Sequence, residues 1–185
     1  AAKASCTPMT YAFLYVLAYS GIRKGEAFAL KWKDIDFEKG LIRINKALSY
    51  CPKNGLYIKE PKNGLSRNVY LDPVTLDVLL TWKEQQKRLL KKNQLSDSRQ
   101  LVFHNKNNEY FNPSYSNRWM KKIQKEFNLK QISTHGLRHT HCTLLLEAGA
   151  PPREVMERLG HLDIEITMKI YAHVTEQAQT KTAER

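Results

Sequence analysis

Between Thr7-Pro8 and Gly21 the chain runs almost without interruption through apolar residues. Thr is a favoured N-cap, Pro fits the first helical turn and Gly closes a helix C-terminus, so the pattern predicts a first helix ending at Gly21. Residues 23–30 continue as a short helix, and residues 32–40 hold a turn. Three β-like runs follow at 41–50, 56–60 and 65–71, separated by Asn54-Gly55 and Asn63-Gly64. Asn-Gly is the strongest short hairpin signal, and the runs predict a three-stranded antiparallel meander.

The second half changes period. Asp72-Pro73 caps a long helix to about residue 92, a short apolar stretch occupies 101–104, and Asn112-Pro113 opens another helix over 114–127. In that helix Trp119, Met120, Ile123 and Phe127 recur at helical spacing, while Arg118, Lys121, Lys122 and Lys125 share another face. One face is predicted to pack and the other to meet a polyanion. Thr134 can cap a helix running through residues 144–146 to Gly149, Pro151-Pro152 starts one ending near Gly160, and Asp163 can cap a last one through Tyr171. The expected architecture is α+β and mainly helical, with a small three-stranded antiparallel sheet: one domain over 1–174, then a polar tail over 175–185.

Composition narrows the class. The chain has 185 residues with 42% hydrophobic and 26% charged side chains, a globular balance that excludes disordered and collagenous classes. The longest apolar run, Tyr11 to Tyr19, is far short of the ~18 residues a membrane span needs, so no membrane association is expected. Cys6, Cys51 and Cys142 are odd in number and widely spaced, which suggests neither a disulfide framework nor a zinc knuckle and fits a reducing, cytoplasmic compartment. The net charge of +12 is concentrated in residues 81–130, with twelve basic groups against four acidic. Such charge favours a nucleic-acid partner through counterion release. No phosphate-binding glycine loop occurs, so ATP and dinucleotide chemistry are not expected.

The densest polar constellation is His135-Gly-Leu-Arg138-His139-Thr-His141. His135 and His139 are spaced as in a zinc-binding HExxH helix, but Gly136 stands where the catalytic Glu belongs, and no metal is expected. Arg138 falls one helical turn after His135, which places a guanidinium beside an imidazole at a helix N-terminus, a candidate oxyanion or phosphate site. Further pieces follow a fixed order: Ser20-Gly-Ile-Arg23-Lys-Gly-Glu26, then Pro61-Lys62, His135-x-x-Arg138-His139, Leu159-Gly160-His161, and Tyr171 ten residues on. Over essentially its whole length the chain resembles the tyrosine recombinases, the phage-integrase type of site-specific recombinase.

That resemblance implies a catalytic domain for DNA integration or recombination. Arg23 and Arg138 would hold the scissile phosphate, Lys62 would be the hairpin lysine with Lys59 as a neighbouring candidate, His135 and His161 would be the further polar positions, and Tyr171 the nucleophile. Glu26 would orient Arg23 or its turn, while His139, His141 and His173 read as structural. Neither metal nor nucleotide cofactor is implied. The partner would be double-stranded DNA, with a tetramer assembled on it. The family's N-terminal core-binding domain is not visible in this chain. Two other readings fit the same residues: a type IB topoisomerase, which uses a similar residue set, and a DNA-binding module without activity.

Overall fold

The computed structural model describes residues 6–61, 64, 66–95, 99–161 and 164–183, with backbone alone for 166 and 176–183; Lys62 and Asp163 lie outside the described residues. Helix α1 (Pro8–Ser20) is capped by the Thr7 side chain, which accepts from the Thr10 amide, and closes at Gly21 with φ 67°. It is buried on most sides because it forms the centre of the domain. Phe13 stacks on Phe28 of α2 (Lys24–Ala29) and meets Phe103 and Trp119 edge-on. These aromatics anchor a large core cluster that also takes in the sheet and the segment 101–103.

A 3-10 turn (Trp32–Asp34) leads to β1 (Ile35–Asp36), β2 (Leu41–Ile44), β3 (Ala47–Cys51), β4 (Gly55–Lys59) and β5 (Arg67–Tyr70). The expected meander is corrected here. A three-stranded antiparallel sheet is present, but its order is β1-β2-β5, and β3-β4 form a separate hairpin. The run 41–50 breaks after Ile44, and β2 pairs with β5 in a register that sets Ile42 opposite Val69, both fully buried. Burial decides the pairing: β2 and β5 have core residues to cover, whereas Leu56, Tyr57 and Ile58 of β4 stay exposed. Asn54-Gly55 does close the β3-β4 hairpin, as its turn chemistry predicts.

Helix α3 (Pro73–Lys92) is capped by Asp72, whose carboxylate accepts from the Thr75 amide at 2.9 Å. Buried Gln86 accepts from the Trp32 indole and donates to the Leu101 carbonyl, and the Trp82 indole donates to the Val102 carbonyl, which fixes the 101–103 segment against the core. Helix α4 (Tyr115–Glu126) buries Met120 and Ile123, but Phe127 is 39% exposed because it stands at the C-cap, where the apolar face has ended. Helix α5 (Thr134–Glu147) is capped by Ser133, one residue before the expected Thr134; the Thr134 hydroxyl donates to Asn117 Oδ1 and ties α5 to α4. Helix α6 (Pro152–Leu159) ends at Gly160 with φ 67°. Helix α7 (Ile164–Ala183) does not stop near Tyr171 but carries its backbone on through the polar segment. A second, smaller cluster of Cys142, Leu146, Val155 and Leu159 holds α5, α6 and α7 together.

Candidate active site

Arg23 is the N-cap of α2. Its backbone amide donates to Glu26 Oε2 at 2.8 Å, its Nη1 to Glu26 Oε1 at 3.0 Å and its Nη2 to the Gly160 carbonyl at 2.8 Å. The Arg23-Glu26 pair is thus real, as helical spacing alone would give, but it also fixes the guanidinium beside the α6 C-terminus. Glu26 is only 1% exposed. Burial works to raise its carboxyl pKa, and the hydrogen bonds and charges of Arg67 and Arg23 outweigh that and hold it below the ordinary carboxylate value.

Arg138, on the first turns of α5, is 3% exposed, and its guanidinium donates to the Gly21 carbonyl from Nη1 and to the Leu159 carbonyl from Nη2, each at 2.7 Å. Gly21 is the C-cap of α1 and Leu159 the last residue of α6, so one cation binds carbonyls at the C-terminal ends of two helices at once. Burial, then the charge of Arg23, lowers its pKa to about 9, which still leaves it charged at neutral pH.

Arg23, Lys24, Glu26, Lys59, His135 and Arg138 line one cavity of about 490 Å³, together with residues of β3 and the N-terminal ends of α4 and α5. Among the described residues lining it, Glu26 is the single acid, and it is already shared by arginines. The His135 pKa is lowered by burial and by the neighbouring His139, Arg138, Arg23 and Lys24, and its ring meets His139 edge-on at 4.8 Å. His161 does not line the cavity. Its Nδ1 is 2.8 Å from the Thr167 hydroxyl, and its pKa falls to about 4 through burial, then through Arg138 and Arg23. Both imidazoles are therefore neutral at pH 7 and able to accept a proton.

Tyr171 stands apart from the cavity: it lies half-buried against the Cys142–Leu159 cluster beside Ile170 and Val174. Neighbouring helix positions differ by ~100°, and a packed helical stripe is commonly that wide, so one apolar face admits both Ile170 and Tyr171. Arg118, Lys121, Lys122 and Lys125 are all exposed on α4, with the Arg118 guanidinium 4.8 Å from the Tyr115 ring. The Lys62 position lies outside the described residues, whereas Lys59 ends β4 at the cavity. His139 and His173 are exposed, and buried His141 accepts from Arg158 Nε at 3.2 Å, a structural use.

Sequence reasoning missed Arg67. It opens β5, and its guanidinium grips Glu26 with both Nη atoms, at 2.9 and 2.7 Å. Nothing in the local pattern marks it, because a basic residue at a strand end reads as solvated until its partner 41 positions away is known. Thr167, whose hydroxyl lies 2.8 Å from His161 Nδ1, was also missed.

Residues 1–178 match the family profile described as the phage integrase family. The ICEBs1 integrase of Bacillus subtilis (strain 168) is 31% identical over 179 residues, covering 92% of this chain and 47% of that protein. A "Tyrosine recombinase XerC-like" protein of Caldanaerobacter subterraneus is also 31% identical, over 92% of this chain and 47% of its own length. The chain therefore spans about half the length of the curated relatives it matches. The Tn1549 transposon integrase, solved in complex with transposon right end DNA, superposes with a TM-score of 0.73 at 25% identity, over 95% of this chain and 58% of that one. Sequence, fold and the order of the site residues lead to one assignment: the chain belongs to the phage integrase family, the tyrosine recombinases.

Proposed function

We propose that this chain is the catalytic domain of a site-specific DNA recombinase and that the basic cavity receives the scissile phosphodiester of double-stranded DNA. The observation that carries the reading is the convergence of Arg23, Arg138 and His135 on one cavity whose single acid, among the described lining residues, is already paired. Charge builds on the non-bridging phosphate oxygens as the nucleophile attacks, and fixed guanidinium donors stabilise that state without reorganising. Tyr171 supplies the attacking oxygen: a P–O bond forms to the phenol oxygen, the P–O5′ bond breaks, and a 3′-phosphotyrosyl link results. The phenol proton passes to the imidazole of His161 or His135, and the leaving 5′-oxygen takes a proton from a hairpin ammonium, Lys62 or Lys59. A 5′-hydroxyl from another strand then reverses both steps, so bond energy is conserved and no nucleotide is consumed. Because Tyr171 packs on the second cluster, its approach requires α7 to shift on that cluster.

The reading extends to a tetramer on DNA and to a cytoplasmic, DNA-associated protein; no described helix is long and apolar enough to cross a membrane. Among the described residues, no three His, Cys, Asp or Glu side chains form a group able to hold a metal ion. Incubation with a nicked duplex that traps the intermediate should give a covalent protein–DNA adduct in EDTA. Tyr171→Phe keeps the ring and removes the hydroxyl, so it should bind DNA normally and give no adduct. An adduct of normal yield from Tyr171→Phe, or one that appears only when Mg²⁺ is restored, would overturn the assignment.

A further inference from the structure

We propose that Arg67 is a positioning residue that keeps the charge of Arg23 available to the scissile phosphate, an inference that rests on the function proposed above. Arg67 does not line the cavity, and its side chain is only 12% exposed. Its Nε donates to the Arg158 carbonyl at 3.0 Å, and its two Nη atoms clasp Glu26 as a fork. The guanidinium lies so close to Gly160 that a Cβ there would sit 3.0 Å from Nη1. Glycine at 160 serves this contact as well as its left-handed φ of 67°.

Glu26 thus faces two guanidinium groups with one negative charge. Arg67 takes the full fork, and Arg23 is left with a single side-chain bond to Oε1 at 3.0 Å and 30% of its side chain exposed at the cavity. The cluster is net cationic, and the surplus charge sits on the arginine that lines the cavity. Without Arg67, buried Glu26 has Arg23 as its sole remaining ion-pair partner among the described residues. A buried carboxylate draws the best available fork, so Arg23 closes on it and its charge is cancelled before any phosphate arrives. Arg67 also braces the turn from which Leu159 receives Arg138 and Gly160 receives Arg23.

The test compares wild type, Arg67→Lys, Arg67→Met and Arg67→Met/Glu26→Gln in single-turnover adduct formation on the nicked duplex, with DNA affinity read separately by fluorescence anisotropy. Arg67→Met should retain DNA affinity within about twofold and lose adduct rate by on the order of 100-fold, the scale of losing one preorganised charge-stabilising group. Lysine keeps the neutralising charge without the fork and should stay within about tenfold of wild type. The double variant should recover most of the loss, because a neutral amide in place of the carboxylate no longer captures Arg23. The ratio of Arg67→Met to wild-type rate should climb as pH falls, since protonating Glu26 releases Arg23. A merely structural role gives a pH-independent ratio and no gain in the double variant, and that result overturns the proposal.

A second measurement needs no chemistry. The Arg23 Nε–H resonance of the ¹⁵N-labelled chain should shift on titration with inorganic phosphate in wild type and stay still in Arg67→Met. Equal shifts in both proteins overturn the positioning role. If wild type forms no adduct yet the resonances behave as expected, the catalytic reading falls and the role of Arg67 stands.

Discussion

Gly21 shows how closely the site is built at the scale of one residue. It adopts φ 67°, and an added Cβ would lie 2.5 Å from Leu159 Cδ2 and 2.6 Å from His141 Cδ2, while its carbonyl receives Arg138. Gly55 has the same φ with nothing within 4 Å of a built Cβ. Gly55→Ala should therefore cost about 1 kcal/mol, the left-handed penalty alone, and Gly21→Ala distinctly more, measured by urea denaturation. Equal costs would show that the seam can relax. His141 and His161 make a pH prediction of definite sign. Burial first, then Arg158 for His141 and Arg138 with Arg23 for His161, lowers each pKa to about 4. An unfolded histidine titrates near ~6.5. Between those values the unfolded chain binds protons that the native one refuses, so stability declines as pH drops from about 6.5 toward 4 and these two groups add no further loss below that. The urea midpoint should fall between pH 7 and pH 5, and His141→Gln should flatten that slope.

At the scale of elements, α4 carries the clearest division of labour. On a helix wheel its four basic residues span about 100°, centred opposite the side that buries Met120 and Ile123, so the charged face is wholly outside the core. If this face lies along duplex DNA, each lost phosphate contact lowers the log–log salt slope by ~0.9. Replacing Lys121, Lys122 and Lys125 by Gln should weaken binding and reduce the slope accordingly, with the adduct still formed at saturating DNA; an unchanged slope would leave the face merely solvated. Elements of this kind were legible in the sequence because their causes are local. Thr7, Asp72, Pro152, Gly21 and Gly160 mark the helix ends that the structure has. The strand pairing was not legible, because the choice between β4 and β5 as partner for β2 depends on which strand has core residues to bury. The site divides in the same way. Arg23, Arg138 and His135 were found from motif order and do share a cavity, whereas Arg67 was hidden because its identity as a partner exists only across the fold.

On the scale of the whole molecule, two hydrophobic clusters of unequal size meet at the arginines. The larger encloses α1, α2, the sheet and the buried faces of α3 and α4, whereas the smaller has, among the described residues, four buried hydrophobic side chains covered by half-buried Leu145, Ala150, Ile170, Tyr171 and Val174. Arg138 bonds a carbonyl on each side, Gly21 from α1 and Leu159 from α6. A cluster that small opens at less cost than the main core, and under the proposed mechanism opening is what Tyr171 would need in order to leave its packing and reach a phosphate. Leu146→Ala deletes apolar volume from the smaller cluster alone, a change that costs ~2–5 kcal/mol in well-packed sites. Hydrogen exchange should then quicken in the amides of α5, α6 and α7 by at least about tenfold while α1 amides keep their wild-type rates. Phe13→Ala, at the centre of the main core, should instead quicken exchange in every element, because no part of the domain stays folded without it. Uniform acceleration by Leu146→Ala would mean that the two clusters unfold as one unit, and Tyr171 would then have no opening short of global unfolding through which to move.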